Sequence, residues 1–188
     1  MNKNKMLQCV PLIIVLSGII ILISAFFLPY ASANTEYSEW LSNYAEGMYA
    51  EEIGMTNGDA IGISPLEFLR MYIYGVSNYS GNNQMISIIC IVIIGLIAIF
   101  TLLCTLFAAL RKPIPLMVFD ILIFVIVLLM KFDFEDRGVI SNSRYSWGVA
   151  NYFYFIGIAI TFVGAMWLLI TKNKAKKMII TAMEGDMK

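Results

Sequence analysis

Residues Met85–Leu110 read MISIICIVIIGLIAIFTLLCTLFAAL, and after Arg111 and Lys112 the chain resumes over Pro113–Met130 as PIPLMVFDILIFVIVLLM. At 1.5 Å per residue these runs extend about 39 Å and about 27 Å as helices, and a ~30 Å hydrocarbon core takes roughly 20 apolar residues. Two basic residues between them leave room only for a sharp reversal, so the segment predicts a transmembrane hairpin. Working outward, Val10–Leu28 and Trp147–Ile170 are two further apolar runs of spanning length. The expected fold is therefore an all-α membrane protein, a four-helix transmembrane bundle with spans at about 10–28, 85–110, 113–130 and 147–170.

Orientation follows from charge. Of the 13 Lys and Arg residues, Lys3, Lys5, Arg111, Lys112, Lys172, Lys174, Lys176, Lys177 and Lys188 lie at the amino terminus, the tight turn and the tail. Only Arg70, Lys131, Arg137 and Arg144 lie in the two longer loops. The positive-inside rule then predicts both termini and the basic tail 172–188 in the cytoplasm, with residues 31–84 and the second loop 131–146 outside. The expected location is the cell (plasma) membrane. Isoleucine, asparagine and lysine richness hints at a bacterial source.

A 60% hydrophobic composition with mean hydropathy +0.78 fits one integral membrane domain over 1–188. The chain has no histidine, which removes the commonest general base and the commonest zinc or haem ligand. Neither enzyme chemistry nor a cofactor, a metal or a nucleic-acid partner is expected. Cys9, Cys90 and Cys104 all fall in or at the edge of spans. The external loops are thus without a disulfide framework, unlike four-span families whose loops carry cysteine pairs.

The first span also has the look of a secretory signal, with Lys3 and Lys5 ahead of it and Ala31-Ser32-Ala33 behind. Its apolar run of about 19 residues exceeds the ~7–15 of a signal h-region, and Ser17, Gly18, Ser24 and Ala25 offer a packing face. Retention of Met1–Ala33 is the expectation.

Residues 31–84 form an acidic cap, with Glu36, Glu39, Glu46, Glu51, Glu52, Asp59 and Glu67 against Arg70 alone. Tyr37, Trp40, Leu41, Tyr44 and Met48 recur at helical spacing after Thr35, a candidate N-cap. They are expected to form the small core of the cap. The alternative, a partner-facing surface of Tyr37, Trp40 and Tyr44 with Glu51 and Glu52, is kept beside it. Ser64, Pro65 and Glu67 have the spacing of a capping box with proline at the first helical position, predicting a helix over Pro65–Tyr74 that ends at Gly75. So small a cap cannot stand alone without disulfides and must dock on the second loop, the bundle or a partner. In that loop Asp133, Glu135 and Asp136 read as a solvated charged turn.

Helices in lipid associate through close approach and hydrogen bonds, so small and hydroxyl residues mark the interfaces. Ala150, Gly157, Gly164 and Thr171 repeat every seven residues in the fourth span, and Gly95, Ala98, Thr101, Thr105 and Ala108 or Ala109 line the second. The third span has no Gly, Ala, Ser or Thr and is expected at the edge of the bundle. It carries Asp120, the one ionisable residue well inside a span, where a carboxylate costs at least ~2.5 kcal/mol. Counting depth from the Arg111–Lys112 turn sets Asp120 level with Thr101, Cys104 and Thr105, with Ser17 or Gly18, and with Thr161 or Gly164. Thr101 or Thr105 is the expected hydrogen-bond partner.

Two functions are expected from this pattern. The first is a non-enzymatic accessory or interaction subunit of a membrane complex, with an immunity or envelope-related role among the options, partnered by lipid and by another membrane protein or a second copy. The alternative is a small transporter or channel component using Asp120 as a proton or cation site.

Overall fold

The computed structural model describes residues 3–186, and residues 1–2 and the tail end 187–188 lie outside it. In chain order the elements are α1 (Lys3–Ala25), β1 (Ala31–Ala33), α2 (Thr35–Asn43), β2 (Met48–Ala50), β3 (Met55–Thr56), β4 (Gly62–Ile63), α3 (Pro65–Asn78), α4 (Asn82–Ala109), α5 (Pro113–Asp136), β5 (Tyr145–Trp147) and α6 (Val149–Asp186). The chain is mostly helical. Among the described residues α4, α5 and the Val149–Lys174 part of α6 are long and apolar enough to cross a membrane, and Cys9–Ala25 of α1 is a shorter apolar stretch.

Around the bundle α6 lies along α1 and beside α5, α5 lies beside α4, and α4 closes the ring by touching α1. The seven-residue repeat of α6 is what lets α1 come close. Gly157 lies against Leu22 and the Gly18 carbonyl, Gly164 against Val15, and Thr161 against Gly18. Without side chains at those glycines the two backbones approach, which is the main source of helix attraction where lipid removes the hydrophobic drive.

The expected edge position of the third span needs correction. Leu116, Asp120, Ile123, Val127, Met130 and Phe134 recur every three or four residues on the inward face of α5, and 39% of its most apolar stretch is buried against 28% for α4. The more peripheral helix is α4. Absence of small residues does not prevent packing when aromatic rings interdigitate: Phe119 of α5 sits between Phe100 and Phe107 of α4, both at 5.5 Å between ring centroids.

Above the bundle, the cap is not built of helices alone. β1 is the centre of a three-stranded antiparallel sheet ordered β4-β1-β5, with Ala31 opposite both Ile63 and Trp147. β1 continues from α1, β4 leads into α3 and onward to α4, and β5 leads into α6, so one small sheet fastens three of the four long helices at one end. Backbone bonds extend it, from Tyr30 N to Ile63 O at 2.8 Å and from Gly148 N to Tyr30 O at 2.8 Å. Strands of two or three residues are too short to show a period-2 pattern, and their hydrogen bonds come from residues far away in sequence. Beneath the sheet the Tyr30 ring, fully buried, meets Phe134, Trp147 and Tyr154 edge-on at 5.4–6.1 Å.

Two helix ends differ from expectation. Asn34, not Thr35, caps α2, its side-chain oxygen accepting from Tyr37 N at 2.9 Å. α3 runs on through Gly75 to Asn78. A Cβ at Gly75 would lie 2.5 Å from Ser87 Oγ of α4, so this glycine marks a helix crossing and not a stop. The start of α3 is as the capping box implies: Ser64 Oγ accepts from Glu67 N at 3.2 Å, and Glu67 Oε2 accepts from Ser64 N at 2.6 Å. Ser64→Ala is expected to cost about 1 kcal/mol of local stability, seen as faster amide exchange across Leu66–Tyr74. Unchanged protection there would argue against the cap's contribution.

Candidate functional site

Asp120 is fully buried, and neither carboxylate oxygen has a hydrogen-bond partner among the described residues. Its surroundings follow from ring contacts on either side. Phe124 of α5 meets Phe155 of α6 at 6.2 Å. Four residues below the first and six below the second, Asp120 and Thr161 differ in height by about 3 Å in an antiparallel pair. The seat of Phe119 between Phe100 and Phe107 brings Asp120 level with Thr101 and Cys104 of α4. Gly18 lies against Thr161. One layer of the bundle therefore holds Gly18, Thr101, Cys104, Asp120 and Thr161.

The polar groups of this layer do not satisfy one another. Thr101 donates its hydroxyl to Ile97 O at 2.8 Å and Thr105 to Thr101 O at 2.9 Å, each within α4. This corrects the expected bond from Asp120 to either threonine: the nearest carbonyl of their own helix takes the proton, a short-range competition that hydroxyls in helices usually lose to the backbone. The Cys104 thiol points to Leu116 O at 3.8 Å. Thr161 Oγ1 is buried without a partner among the described residues. Ser17 is exposed and donates to Ile13 O at 3.0 Å, since one residue's rotation of about 100° turns it away and leaves Gly18 inside.

Further unpaired oxygens lie along the same face of α6. Asn151, Tyr154 and Thr161 are all buried at helical spacing, and among the described residues Asn151 Oδ1 and Tyr154 Oη are without partners, as is Tyr30 Oη above them. A discontinuous file of unpaired oxygens thus leads from the sheet to the Asp120 layer. Each such group costs about 1–3 kcal/mol unless completed. A carboxylate here needs a proton, a cation or water to complete it.

The cap presents a second candidate surface. Tyr37 and Trp40 stack at 5.8 Å with rings 4° apart, Tyr44 follows at 5.7 Å, and the Arg144 guanidinium covers Tyr37 at 5.4 Å. Trp40 and Tyr44 are 51% and 61% exposed. The expectation that the stripe forms the cap's core is overturned for these two and for Met48, which is also exposed. Leu41 alone of α2 is buried. Met48 lies in β2, beyond the helix. Glu51 and Glu52 are exposed in the one-turn helix after β2, apart from the ladder.

Sequence reasoning missed Arg137. α5 extends to Asp136, so Asp133 sits one turn before Arg137 and pairs with it, Nε to Oδ1 at 3.0 Å and Nη2 to Oδ2. Nη2 also donates to Tyr72 Oη at 3.3 Å and approaches Cys90 Sγ at 3.1 Å, joining α3, α4 and α5. Burial works against the cation, and Asp133 with the Tyr72 hydroxyl more than offsets it, holding Arg137 above its ordinary range. The Tyr72 hydroxyl is pushed up mainly by burial. An i,i+4 acid–arginine spacing was the available signal, masked by the neighbouring carboxylates.

Comparison with protein-family models, with curated proteins and with solved structures finds no match to this chain.

Proposed function

We propose that the protein is a non-enzymatic accessory subunit of a membrane complex in the cell membrane, with four spans, both termini cytoplasmic and the cap outside. The observation that carries the reading is the Tyr37–Trp40–Tyr44 ladder, half-buried at Tyr37 and exposed at Trp40 and Tyr44, on a platform that the β4-β1-β5 sheet fastens to the bundle. Large exposed rings on a rigid support are the usual anchors of a protein interface. The excess of cap carboxylates favours a basic contact on the partner by charge complementarity. The α1–α6 contact supports retention of the first span, since loss of Met1–Ala33 would uncover Gly157 and Gly164 and remove the central strand.

One engineered cysteine tests side and contact together. With Cys9, Cys90 and Cys104 replaced, Ser42→Cys beside the ladder is expected to react with a membrane-impermeant maleimide in intact cells, and Asn173→Cys is not. A photoreactive maleimide at position 42 is expected to give one discrete crosslinked protein, lost when Trp40 and Tyr44 are changed to Ser. Labelling at 173 alone would overturn the orientation, and an unchanged crosslink in the serine variant would overturn the ladder's role.

A second reading, a small transporter or channel component, draws support from the unpartnered Asp120 carboxylate and the unpaired oxygens of α6. Its test is the Asp120 series below.

A further inference from the structure

A cavity of about 320 Å³ lies where α3, the sheet and the chain after α5 converge. Its walls are apolar at Ala31, Ile63, Phe68, Met71 and Val139, and polar groups enter from Tyr49, Tyr72, Arg137 and Tyr145. That volume falls at the lower end of the range for small-molecule sites. Among the described residues none of the cap's carboxylates lines it, although the cap is acidic, and the only formal charge in its wall is Arg137.

The hydrogen-bond inventory shows what the polar side still offers. Asp133 occupies Nε and one Nη2 position of Arg137, and Nη2 also serves Tyr72. The two Nη1 protons have no acceptor among the described residues. Tyr145 gives its single proton to Ala60 O at 2.8 Å, so at their 3.5 Å approach only Tyr49 can donate, and a contact that long leaves its proton free to turn to a nearer acceptor. The polar side of the cavity therefore offers donors at Arg137 Nη1 and at the 37% exposed Tyr49, and a ligand there is matched by an acceptor rather than a second donor. A single guanidinium already half neutralised by Asp133 suits a single negative charge and not a phosphate dianion.

From donors on one side and an apolar floor on the other, we propose that this cavity binds a medium-chain fatty acid, the carboxylate on Arg137 and Tyr49 and the chain against Phe68, Met71 and Val139. The proposal is independent of the orientation argued above, since the cavity lies at the Arg137 end of α5 whichever side that end faces.

The test is equilibrium binding of radiolabelled decanoate to the full chain in lipid nanodiscs, with empty nanodiscs subtracted. Saturable one-site binding is expected, displaced by unlabelled decanoate, at least roughly tenfold less well by decanol, and not by decylamine or inorganic phosphate. Arg137→Gln is expected to weaken binding by roughly tenfold or more, the scale of one charge-assisted hydrogen bond. Met71→Trp fills the cavity without touching the Arg137–Asp133 pair and is expected to abolish binding, which keeps the test decisive if the arginine variant does not fold. Equal competition by decanoate, decanol and decylamine would overturn the proposal, as would an unchanged affinity in the Met71→Trp protein.

Discussion

Gly18→Leu is expected to take the bundle apart. A Cβ at position 18 would already lie 2.6 Å from the Thr161 backbone nitrogen and 2.9 Å from the Gly157 carbonyl, apart from its collision with Thr161 Oγ1. Neither backbone atom can swing aside, so α1 must retreat from α6 along its length. That separation forfeits the seating of Val15 against Gly164 and of Leu22 against Gly157. The cost should reach the top of the overpacking range, about 3 kcal/mol or more. Gly95→Leu on α4 is the matched control, because nothing lies within 4 Å of its Cβ direction, and a substitution there should stay within about 0.5 kcal/mol. Thermal unfolding of both variants in the same detergent decides it. Equal melting temperatures would refute the close α1–α6 contact.

Asp120 carries the second large effect, and the absence of partners sets its sign. Had Asp120 bonded Thr101 or Thr105, an apolar replacement would break a hydrogen bond and loosen the bundle. With both oxygens buried and unpaired, Asp120→Leu removes a desolvation penalty and should raise stability by about 1–3 kcal/mol. Asp120→Asn retains the polar atoms and should leave stability within about 1 kcal/mol of the parent. Function then separates the two readings. As an accessory subunit the Asn variant keeps its partner crosslink, and the protein moves no protons in liposomes loaded with a pH-sensitive dye. As a transporter component the parent shows a proton flux that the Asn variant loses, because an amide does not exchange a proton as an acid does. A less stable Leu variant would show that Asp120 is held by a bond after all.

How much of this was legible beforehand depended on the range of the interaction concerned. The capping box of α3 is written in four consecutive residues, Ser64 to Glu67, and needs no distant partner. Asp120, Thr101 and Cys104 share a layer that counting at 1.5 Å per residue approximates, since α4 and α5 have a fixed rise and a tight turn between them keeps depth in step with sequence, and the same count extended to α6 reaches Thr161. The choice between Ser17 and Gly18 was not reachable that way, because a helix's rotation about its axis is set by what packs on it.

Amino-acid order by itself determined the long apolar helices, the capped start of α3 and the glycine face of α6, each a local or strictly periodic property of the chain. Tertiary structure alone decided that Ala31–Ala33 is the centre of a sheet, that Gly75 is a crossing and not an end, that Trp40 and Tyr44 face outward, and that Arg137 sits between α3, α4 and α5. For the sheet, the crossing and Arg137 the deciding partner, whether Ile63, Ser87 or Tyr72, comes from a separate element of the chain, and its position is set by packing that no local pattern encodes.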